Sequence, residues 1–234
     1  LGLRLSLRLR LRLRLRLRLR LRVAMAEALT VPFGGVEIQL TTNWDVGIGG
    51  GVWSAAEQFL GHVGAHRDFY EQKWRGRRVI ELGAGTGLAG FAAALVAGAG
   101  AEVVLTDIGE HVEMLRENLK LNAQLMEASG ASVRVEEFDW AKADEVEHLG
   151  GKFDVVVGTD VAYHEDLYDD VAAAIDATTK DDGVVVLGVT RLDTGPSFFR
   201  AFEARGFTYH RVDESLMGGA HTKSSFALFL AWRR

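Results

Sequence analysis

Residues 79–90, with the sequence VIELGAGTGLAG, constrain the fold of this chain more than any other segment. Residues 79–82 form a short apolar run typical of a buried strand, and the apolar residues from Leu88 onward recur at helical spacing. Between them, residues 83–87 carry almost no side chain, so a ligand can approach the backbone closely. The segment predicts a strand, a glycine turn and a helix whose unpaired N–H groups face a nucleotide-type cofactor.

The spacing of the glycines distinguishes two classes of cofactor. A dinucleotide fingerprint, G-x-G-x-x-G, requires a third glycine at position 88, which is Leu. Here Gly83, Gly85 and Gly87 follow Glu81, and this E-x-G-x-G-x-G form resembles the first motif of class I S-adenosylmethionine methyltransferases. A glycine pattern alone is weak evidence, so a purely structural turn is the alternative that other segments must decide.

Composition narrows the classes of function. The chain has 234 residues and no cysteine, which excludes a thiolate nucleophile and a cysteine-ligated zinc site. It has no apolar run long enough to predict a membrane span. The first 24 residues carry nine Arg and no acid, which leaves 18 basic and 32 acidic residues and a net charge of −14 for the rest. Such an acidic body is a poor match for nucleic acid and suits a basic or lysine-bearing substrate.

Residues 1–22 alternate Leu and Arg almost without interruption. A helix would scatter both residue types around its surface, and a strand of this composition would repel itself. We expect residues 1–24 to be a low-complexity tail, either disordered or translated from repeat DNA upstream of a start at Met25. A surface-binding or membrane-binding strip is the minor alternative. Residues 25–234 are expected to form a single domain.

Further apolar runs alternate with helical segments along the chain. We predict strands at 36–40, 79–82, 102–106, 132–138, 153–158, 183–189, 207–212 and 226–232, and helices at 52–63, 171–179 and 196–205. The link between the last two strands is polar and contains glycine, which favours an antiparallel hairpin. The pattern predicts an α/β fold with a seven-stranded, mostly parallel sheet, an antiparallel last strand and helices on both faces.

Polar residues follow several of these strands, at the edge where open α/β sheets bind ligands. Asp107 can accept the ribose hydroxyls of a nucleoside, with a helix N-cap as the competing role. Asp139 can accept hydrogens from an adenine amino group and Trp140 can cover the ring, although an ordinary turn would read the same. Trp53 either packs in the core or forms a wall of the pocket.

Taken together, these segments are similar to the seven-β-strand protein lysine methyltransferases of methyltransferase family 16, of the methyltransferase-like-21 type. The resemblance covers about 200 residues and implies a Rossmann-like class I fold that transfers a methyl group from S-adenosylmethionine to a lysine amine of a protein. A departure is Ser54, where relatives usually carry Asp. The matching pieces are Val52-Trp53 with Ala55-Ala56, residues 74–90, the LTD that ends at Asp107, Asp139-Trp140, the D-x-x-Y motif Asp160–Tyr163, and Arg191.

The resemblance also implies roles for individual residues. Asp160 and Tyr163 would lie where the methyl group meets its acceptor, Asp160 orienting the donor or the amine and Tyr163 lining the lysine channel. His164, which follows directly, is expected to be a loop histidine rather than a catalytic one. The residues implied or expected to surround S-adenosylmethionine are Trp53, Glu81, Gly83, Gly85, Asp107, Asp139 and Trp140.

The resemblance implies a protein partner that bears the target lysine: a chaperone, an AAA ATPase or a translation factor. Glutamine and DNA-amine methyltransferases carry N-P-P-Y where this chain has Asp160-Val161-Ala162-Tyr163, which disfavours methylation of amides or bases. A small-molecule methyltransferase and an inactive adaptor are the alternatives. We further expect no metal, no nucleic-acid partner, a monomer, and a location in the cytoplasm and also the nucleus.

Overall fold

The computed structural model describes residues 26–190, 193–217 and 225–234. The tail predicted at residues 1–24, Arg191 and most of the link between the last two strands lie outside the described residues. The strands are β1 (Ala26–Phe33), β2 (Val36–Asn43), β3 (Arg78–Leu82), β4 (Glu102–Asp107), β5 (Ser132–Glu137), β6 (Phe153–Thr159), β7 (Thr179–Thr190), β8 (Phe207–Arg211) and β9 (Phe226–Arg233). The helices are α1 (Ser54–Ala65), α2 (Arg67–Trp74), α3 (Leu88–Ala97), α4 (Glu110–Leu121), α5 (Ala123–Ser129), α6 (Tyr168–Thr178) and α7 (Pro196–Ala204).

The main sheet has seven strands in the order β5-β4-β3-β6-β7-β9-β8. Strands β3 to β7 pair in parallel, and β9 is antiparallel to both β7 and β8. The seven-stranded sheet with an antiparallel last strand, predicted from the sequence, is therefore confirmed. Because β4 and β6 lie on opposite sides of β3, the strand order reverses there, and a crevice opens beyond the carboxyl end of β3.

Alternating residues of the central strands supply two hydrophobic cores. Val79 and Val103 belong to the core that α1, α2 and α3 cover. Ile80 and Val104 belong to the core beneath α6 and α7. Since both faces are covered, the central strands carry continuous apolar runs, which is why their positions could be predicted. No helix of the described residues is long and apolar enough to span a membrane.

A second, two-stranded sheet precedes the main one. Strand β2 was predicted, but its antiparallel partner β1 was not, and neither was α2. Asn118 in α4 and Asn122, which caps the carboxyl end of that helix, attach this hairpin to the domain. Asn118 Oδ1 accepts a hydrogen bond from Thr41 N at 2.7 Å, and Asn122 Oδ1 accepts one from Gln39 N at 2.9 Å. Both side-chain amides also donate hydrogen bonds to the carbonyl oxygens of the same strand residues. The two amides therefore pair with the edge of β2 as the backbone of a neighbouring strand would.

Candidate active site

The glycine turn, residues 83–87, joins β3 to α3 at the edge where the crevice opens. Gly83, Gly85 and Gly87 have φ values of 62°, 53° and 87°, in the region that favours glycine. A Cβ on Gly83 would stand 2.8 Å from the Trp140 ring, and one on Gly85 would stand 2.9 Å from the carbonyl oxygen of Gly49. Sterics and conformation therefore both require the small residues that the sequence shows.

Asp107 ends β4 and fixes the turn from the side. Its Oδ2 accepts a hydrogen bond from Gly85 N at 2.7 Å, and its Oδ1 accepts one from Ile108 N at 2.8 Å. Oδ1 also lies 3.1 Å from Nδ1 of His111. The N-cap of α4 is Gly109, so helix capping is not the role of Asp107. Its carboxylate instead lies where the turn, α4 and the crevice meet.

Glu81 lies beneath the turn. Its side chain is buried, and Oε2 accepts a hydrogen bond from Gly90 N, in the first turn of α3, at 2.8 Å. Burial raises the pKa of Glu81 to about 8, and the charge of Asp107 adds to this, while the bond from Gly90 opposes it. Glu81 is not among the residues that line the cavity described next. Its role as a cofactor contact stays a prediction, whereas its contact with α3 is direct.

A cavity of about 480 Å³ occupies the crevice. Its size is in the range of ligand-binding sites, which span roughly 300–1,000 Å³. Eight of the nine residues that the sequence predicted for the site line this single cavity: Trp53, Gly83, Gly85, Asp107, Asp139, Trp140, Asp160 and Tyr163.

Ile108 and Trp140 give part of the cavity wall an apolar surface. Ile108 is 47% exposed. Nε1 of Trp140 is buried and has no hydrogen-bond partner in the described part of the chain. An indole N–H can only donate, so this atom needs an acceptor that a bound molecule or water would supply. The nearby Asp139 is exposed, and its Oδ1 accepts from Ala141 N at 3.0 Å.

Trp53 lies at the wall of the cavity rather than in the core, since it is 42% exposed. Its Nε1 donates to the carbonyl oxygen of Ile48 at 2.8 Å, and Trp44 contacts it edge-on at 5.8 Å. Ile48 belongs to residues 47–51, which we call the glycine loop. This loop runs over the glycine turn and closes one side of the cavity.

Residues of the D-x-x-Y motif form another part of the cavity wall. Asp160 is the only described non-glycine residue with positive φ, 53°, and Thr190 N donates to its Oδ1 at 2.8 Å. Such a backbone conformation costs about 1–3 kcal/mol, and it persists at sites where the surroundings enforce it. Burial raises the pKa of Asp160, and the charge of Asp193 adds to this. Burial also raises the pKa of Tyr163, with a smaller contribution from the charge of Asp107.

Hydrogen bonds outside the cavity hold this loop. Thr194 Oγ1 donates to the Ala162 carbonyl at 2.8 Å, and Tyr168 OH donates to the Asp193 carbonyl at 3.1 Å. His164 is exposed, is not among the residues lining the cavity, and its Nδ1 lies 3.4 Å from Asp166 N. The position is that of a loop histidine, as expected.

The cavity also contains residues that sequence reasoning missed. Ile108, His111, Asp170, Asp193 and three residues of the glycine loop, Ile48, Gly49 and Gly51, line it. Ile108 directly follows Asp107 at a strand end, which could have marked it, but nothing in the sequence marks His111 or Asp170. Among the described lining residues five are aspartates and none is lysine or arginine. The cavity is therefore suited to a cationic ligand and not to a pyrophosphate.

Comparisons with known proteins agree with this geometry. A family profile described as lysine methyltransferase matches residues 33–205. The mouse protein N-lysine methyltransferase METTL21A is 31% identical over 185 residues, which cover 78% of this chain and 80% of the relative. The mouse EEF1A lysine methyltransferase 3 is 33% identical over 138 residues, which cover 57% of this chain and 53% of the relative.

Solved structures share the fold at lower identity. The T. thermophilus 16S rRNA N2 G1207 methyltransferase, in complex with AdoMet and guanosine, superposes with a TM-score of 0.59 and 20% identity, covering 90% of this chain and 51% of that chain. Fibrillarin of Methanococcus jannaschii gives a TM-score of 0.53 and 16% identity, covering 88% of this chain and 83% of that chain. These likenesses confirm the predicted Rossmann-like class I methyltransferase fold.

Proposed function

This chain belongs to the lysine methyltransferase family, and we propose which of its residues carry the reaction. It is an enzyme that transfers a methyl group from S-adenosylmethionine to the side-chain amine of a lysine in a protein substrate. The family, the enzyme class and the cofactor expected from the sequence are thereby confirmed. The roles of individual residues, the target protein and the location in the cell are proposals. We assign the reaction to residues 25–234 as one unit, since the family match falls within them.

The cavity fits S-adenosylmethionine on three observations. Its volume of about 480 Å³ suits a nucleoside joined to an amino acid. The orphaned N–H of Trp140 requires an acceptor, which a purine supplies. The five lining aspartates suit a sulfonium cation. When bound, the cofactor supplies an activated methyl group, so the hard chemistry is its own.

We propose that different residues of the cavity wall bind different parts of the cofactor. Asp107, with one oxygen held by Gly85 N, would accept a hydrogen bond from the ribose, while Trp140 and Ile108 would enclose the base. Trp53 and the turn at Gly83 would close the wall along the rest of the cofactor. This arrangement would position the methyl donor for attack by the acceptor.

The D-x-x-Y motif would bind the lysine side chain of the substrate. A lysine ammonium has a pKa of about 10.4 in water and must lose a proton before its nitrogen can attack. The bond from Thr190 N fixes Oδ1 of Asp160, and this carboxylate would orient the amine. The ring of Tyr163, 38% exposed at the mouth, would favour the cationic substrate by cation–π contact. Solvent can take the proton, since the mouth is open.

The observation that carries these assignments is the convergence of Asp107, Trp140, Asp160 and Tyr163 on one acidic cavity. An inactive adaptor is disfavoured because the part of the cavity wall assigned to the cofactor is intact. A small-molecule substrate is disfavoured because the family match is to lysine methyltransferases.

We propose that the target is a chaperone, an AAA ATPase or a translation factor. Two relatives have names that each specify one protein substrate, which supports a single target protein for this chain as well. They are the EEF1A lysine methyltransferase 3 of mouse and the calmodulin-lysine N-methyltransferase of Arabidopsis thaliana. We place the protein in the cytoplasm and nucleus as a monomer, which fluorescence microscopy of a tagged chain and size-exclusion chromatography would test.

The test uses tritiated S-adenosylmethionine, the purified full chain and a heat-treated cell extract. We expect a discrete labelled protein band, and hydrolysis of that band should release labelled methyl-lysine. Asp107→Ala should abolish the label, because the cofactor contact is lost. Asp154→Asn is the matched control: this carboxylate accepts from Arg78 N at 2.9 Å at the amino end of β6, far from the cavity.

Different failures have different meanings. Label in an amino acid other than lysine would overturn the acceptor assignment. Label retained in Asp107→Ala would overturn the assignment of this residue to the cofactor. No label with calorimetric binding of S-adenosylhomocysteine intact would favour a small-molecule acceptor or an adaptor.

A further inference from the structure

His111 connects the cofactor carboxylate to the glycine loop. It lies in the first turn of α4, four residues after Asp107, and its Nδ1 is 3.1 Å from Asp107 Oδ1. The side chain is 17% exposed and lines the cavity. Nothing in the reaction described above uses it, although it touches a residue that the reaction requires.

The other edge of the imidazole packs directly on the loop backbone. A Cβ on Gly49 would stand 3.0 Å from Cδ2 and 3.1 Å from Nε2 of His111, and one on Gly47 would stand 3.6 Å from Nε2. No side chain therefore separates the ring from the loop. The Gly49 carbonyl oxygen also lies close to the glycine turn, 2.9 Å from a Cβ built on Gly85. Gly49 therefore lies against both His111 and the turn.

The hydrogen bonds of Asp107 hold its carboxylate in place. Its oxygens accept from Gly85 N at 2.7 Å and from Ile108 N at 2.8 Å. The bond with Asp107 raises the pKa of His111, and burial opposes this. The Asp107 charge, the Val46 carbonyl and the charge of Glu110 also raise the His111 pKa. Nε2 is buried and has no partner of ordinary hydrogen-bond geometry in the described residues, so it is free to engage the loop.

We propose that His111 is a positioning residue that bridges Asp107 to the glycine loop and holds this loop as the wall of the cofactor cavity. Its Nδ1–H fixes the orientation of the carboxylate, and its Nε2 edge supports residues 47–49. Within the described residues, the loop's other hydrogen bonds are short-range, from Gly47 N to Trp44, from Gly50 N to Gly47 and from Trp53 to Ile48. None of these three bonds reaches the sheet edge at β4, which His111 does.

The first readout is hydrogen exchange of residues 44–53 in the protein without ligand, which does not depend on the proposed cofactor placement. We expect His111→Ala to raise exchange by about tenfold, equivalent to about 1.4 kcal/mol of lost local stability. His111→Asn keeps a donor near the Nδ1 position and should exchange as fast as His111→Ala. His111→Gln reaches the Nε2 position and should restore part of the protection. His210→Asn, on the exposed face of β8, is the matched control.

The second readout is the Kd for S-adenosylhomocysteine, which rests on the proposed function. We expect about five- to tenfold weaker binding in His111→Ala and intermediate values in the other two variants. Unchanged loop exchange with weakened binding would overturn the bridge and make His111 a direct ligand contact. Wild-type loop exchange in His111→Asn would overturn it as well, because the bond to Asp107 alone would then suffice. Faster loop exchange in His111→Ala, together with no binding of S-adenosylhomocysteine by the wild-type protein, would leave the bridge standing and refute the cofactor placement.

Discussion

A substitution at Asp160 can remove the negative charge of this residue and leave its backbone conformation unchanged. Asn tolerates positive φ and offers an oxygen to Thr190 N, so Asp160→Asn should keep the fold and bind S-adenosylhomocysteine within about threefold of wild type. Loss of the negative charge should lower the methylation rate at least about tenfold, which corresponds to about 1.4 kcal/mol in the barrier. The measurements are calorimetry and initial rates of tritium transfer.

The exposed Asp166, in the loop that follows, provides the control for this substitution. Asp166→Asn should retain full activity. Rates near wild type in both Asp160→Asn and Tyr163→Phe would remove these two residues from the acceptor site.

Glu81 makes stability depend on pH. Its pKa of about 8 in the folded protein compares with 4.5 ordinarily, so the folded state holds a proton that the unfolded chain releases. The associated stabilisation is complete below about pH 4.5 and is lost as pH rises towards 8. Glu81→Gln keeps an oxygen for Gly90 N but cannot ionise. Between pH 5 and pH 9, the free energy of unfolding of this variant should therefore fall by less than that of the wild-type protein, and the difference should be on the order of a few kcal/mol.

Urea denaturation of both proteins across this pH range measures the difference. Glu57→Gln, at an exposed position of α1, should follow the wild-type curve. Parallel curves for Glu81→Gln and wild type would show that Glu81 ionises normally. Cofactor affinity of Glu81→Gln decides the remaining prediction from the sequence: a large loss would make Glu81 a cofactor contact despite its place beneath the turn.

At the scale of elements, the role of the glycine turn in cofactor binding can be tested by comparing a substitution in the turn with one at a distant glycine that also has positive φ. Gly83→Ala and Gly206→Ala both place Ala at positive φ, 62° and 82°, and both should lose about 1–2 kcal/mol of unfolding free energy. Only the Cβ at position 83 meets other groups, the Trp140 ring at 2.8 Å and Val161 at 3.1 Å, whereas nothing lies within 4 Å at position 206. Gly83→Ala should therefore also lose affinity for S-adenosylhomocysteine, by at least about tenfold.

Calorimetry and thermal unfolding of the two variants provide the comparison. Equal affinity in both would mean that the turn is only a structural connection. That outcome is the purely structural alternative that the glycine spacing left open.

The elements that could be predicted are those whose pattern is set by burial on one or two faces. Strands β3, β4, β6 and β7 contain short runs of buried apolar residues, and α1 has a clear apolar face. The β1–β2 hairpin could not be predicted in full because its attachment depends on the amides of Asn118 and Asn122, which pair with backbone atoms 77 and 83 residues away. Polar pairing across such distances leaves no periodic signal in the sequence.

The same limit applies to the site. Residues at strand ends and in motifs, such as Asp107 and Asp160, could be located from the order of the elements. His111 and Asp170 lie on helices that reach the cavity only through packing, so local sequence carries no sign of them. Glu81 differs in the opposite way. Its position in the motif predicted a cofactor contact, but in the structure its side chain lies beneath the turn and accepts a hydrogen bond from Gly90 N.

At the scale of the whole molecule, residues 25–234 carry a net charge of −14, and the cavity is lined by five aspartates. An acidic enzyme attracts a basic substrate surface, and salt screens this attraction with a Debye length of about 10 Å at 0.1 M. With the target protein identified by labelling, we expect the initial rate at subsaturating substrate to fall several-fold as salt rises from about 0.02 to 0.3 M. The Kd of S-adenosylhomocysteine, which has no net charge, should change less than about twofold over the same range. A rate that is constant or rises with salt would show that the substrate is recognised by shape and apolar contact, and that the acidic body serves a purpose other than attraction.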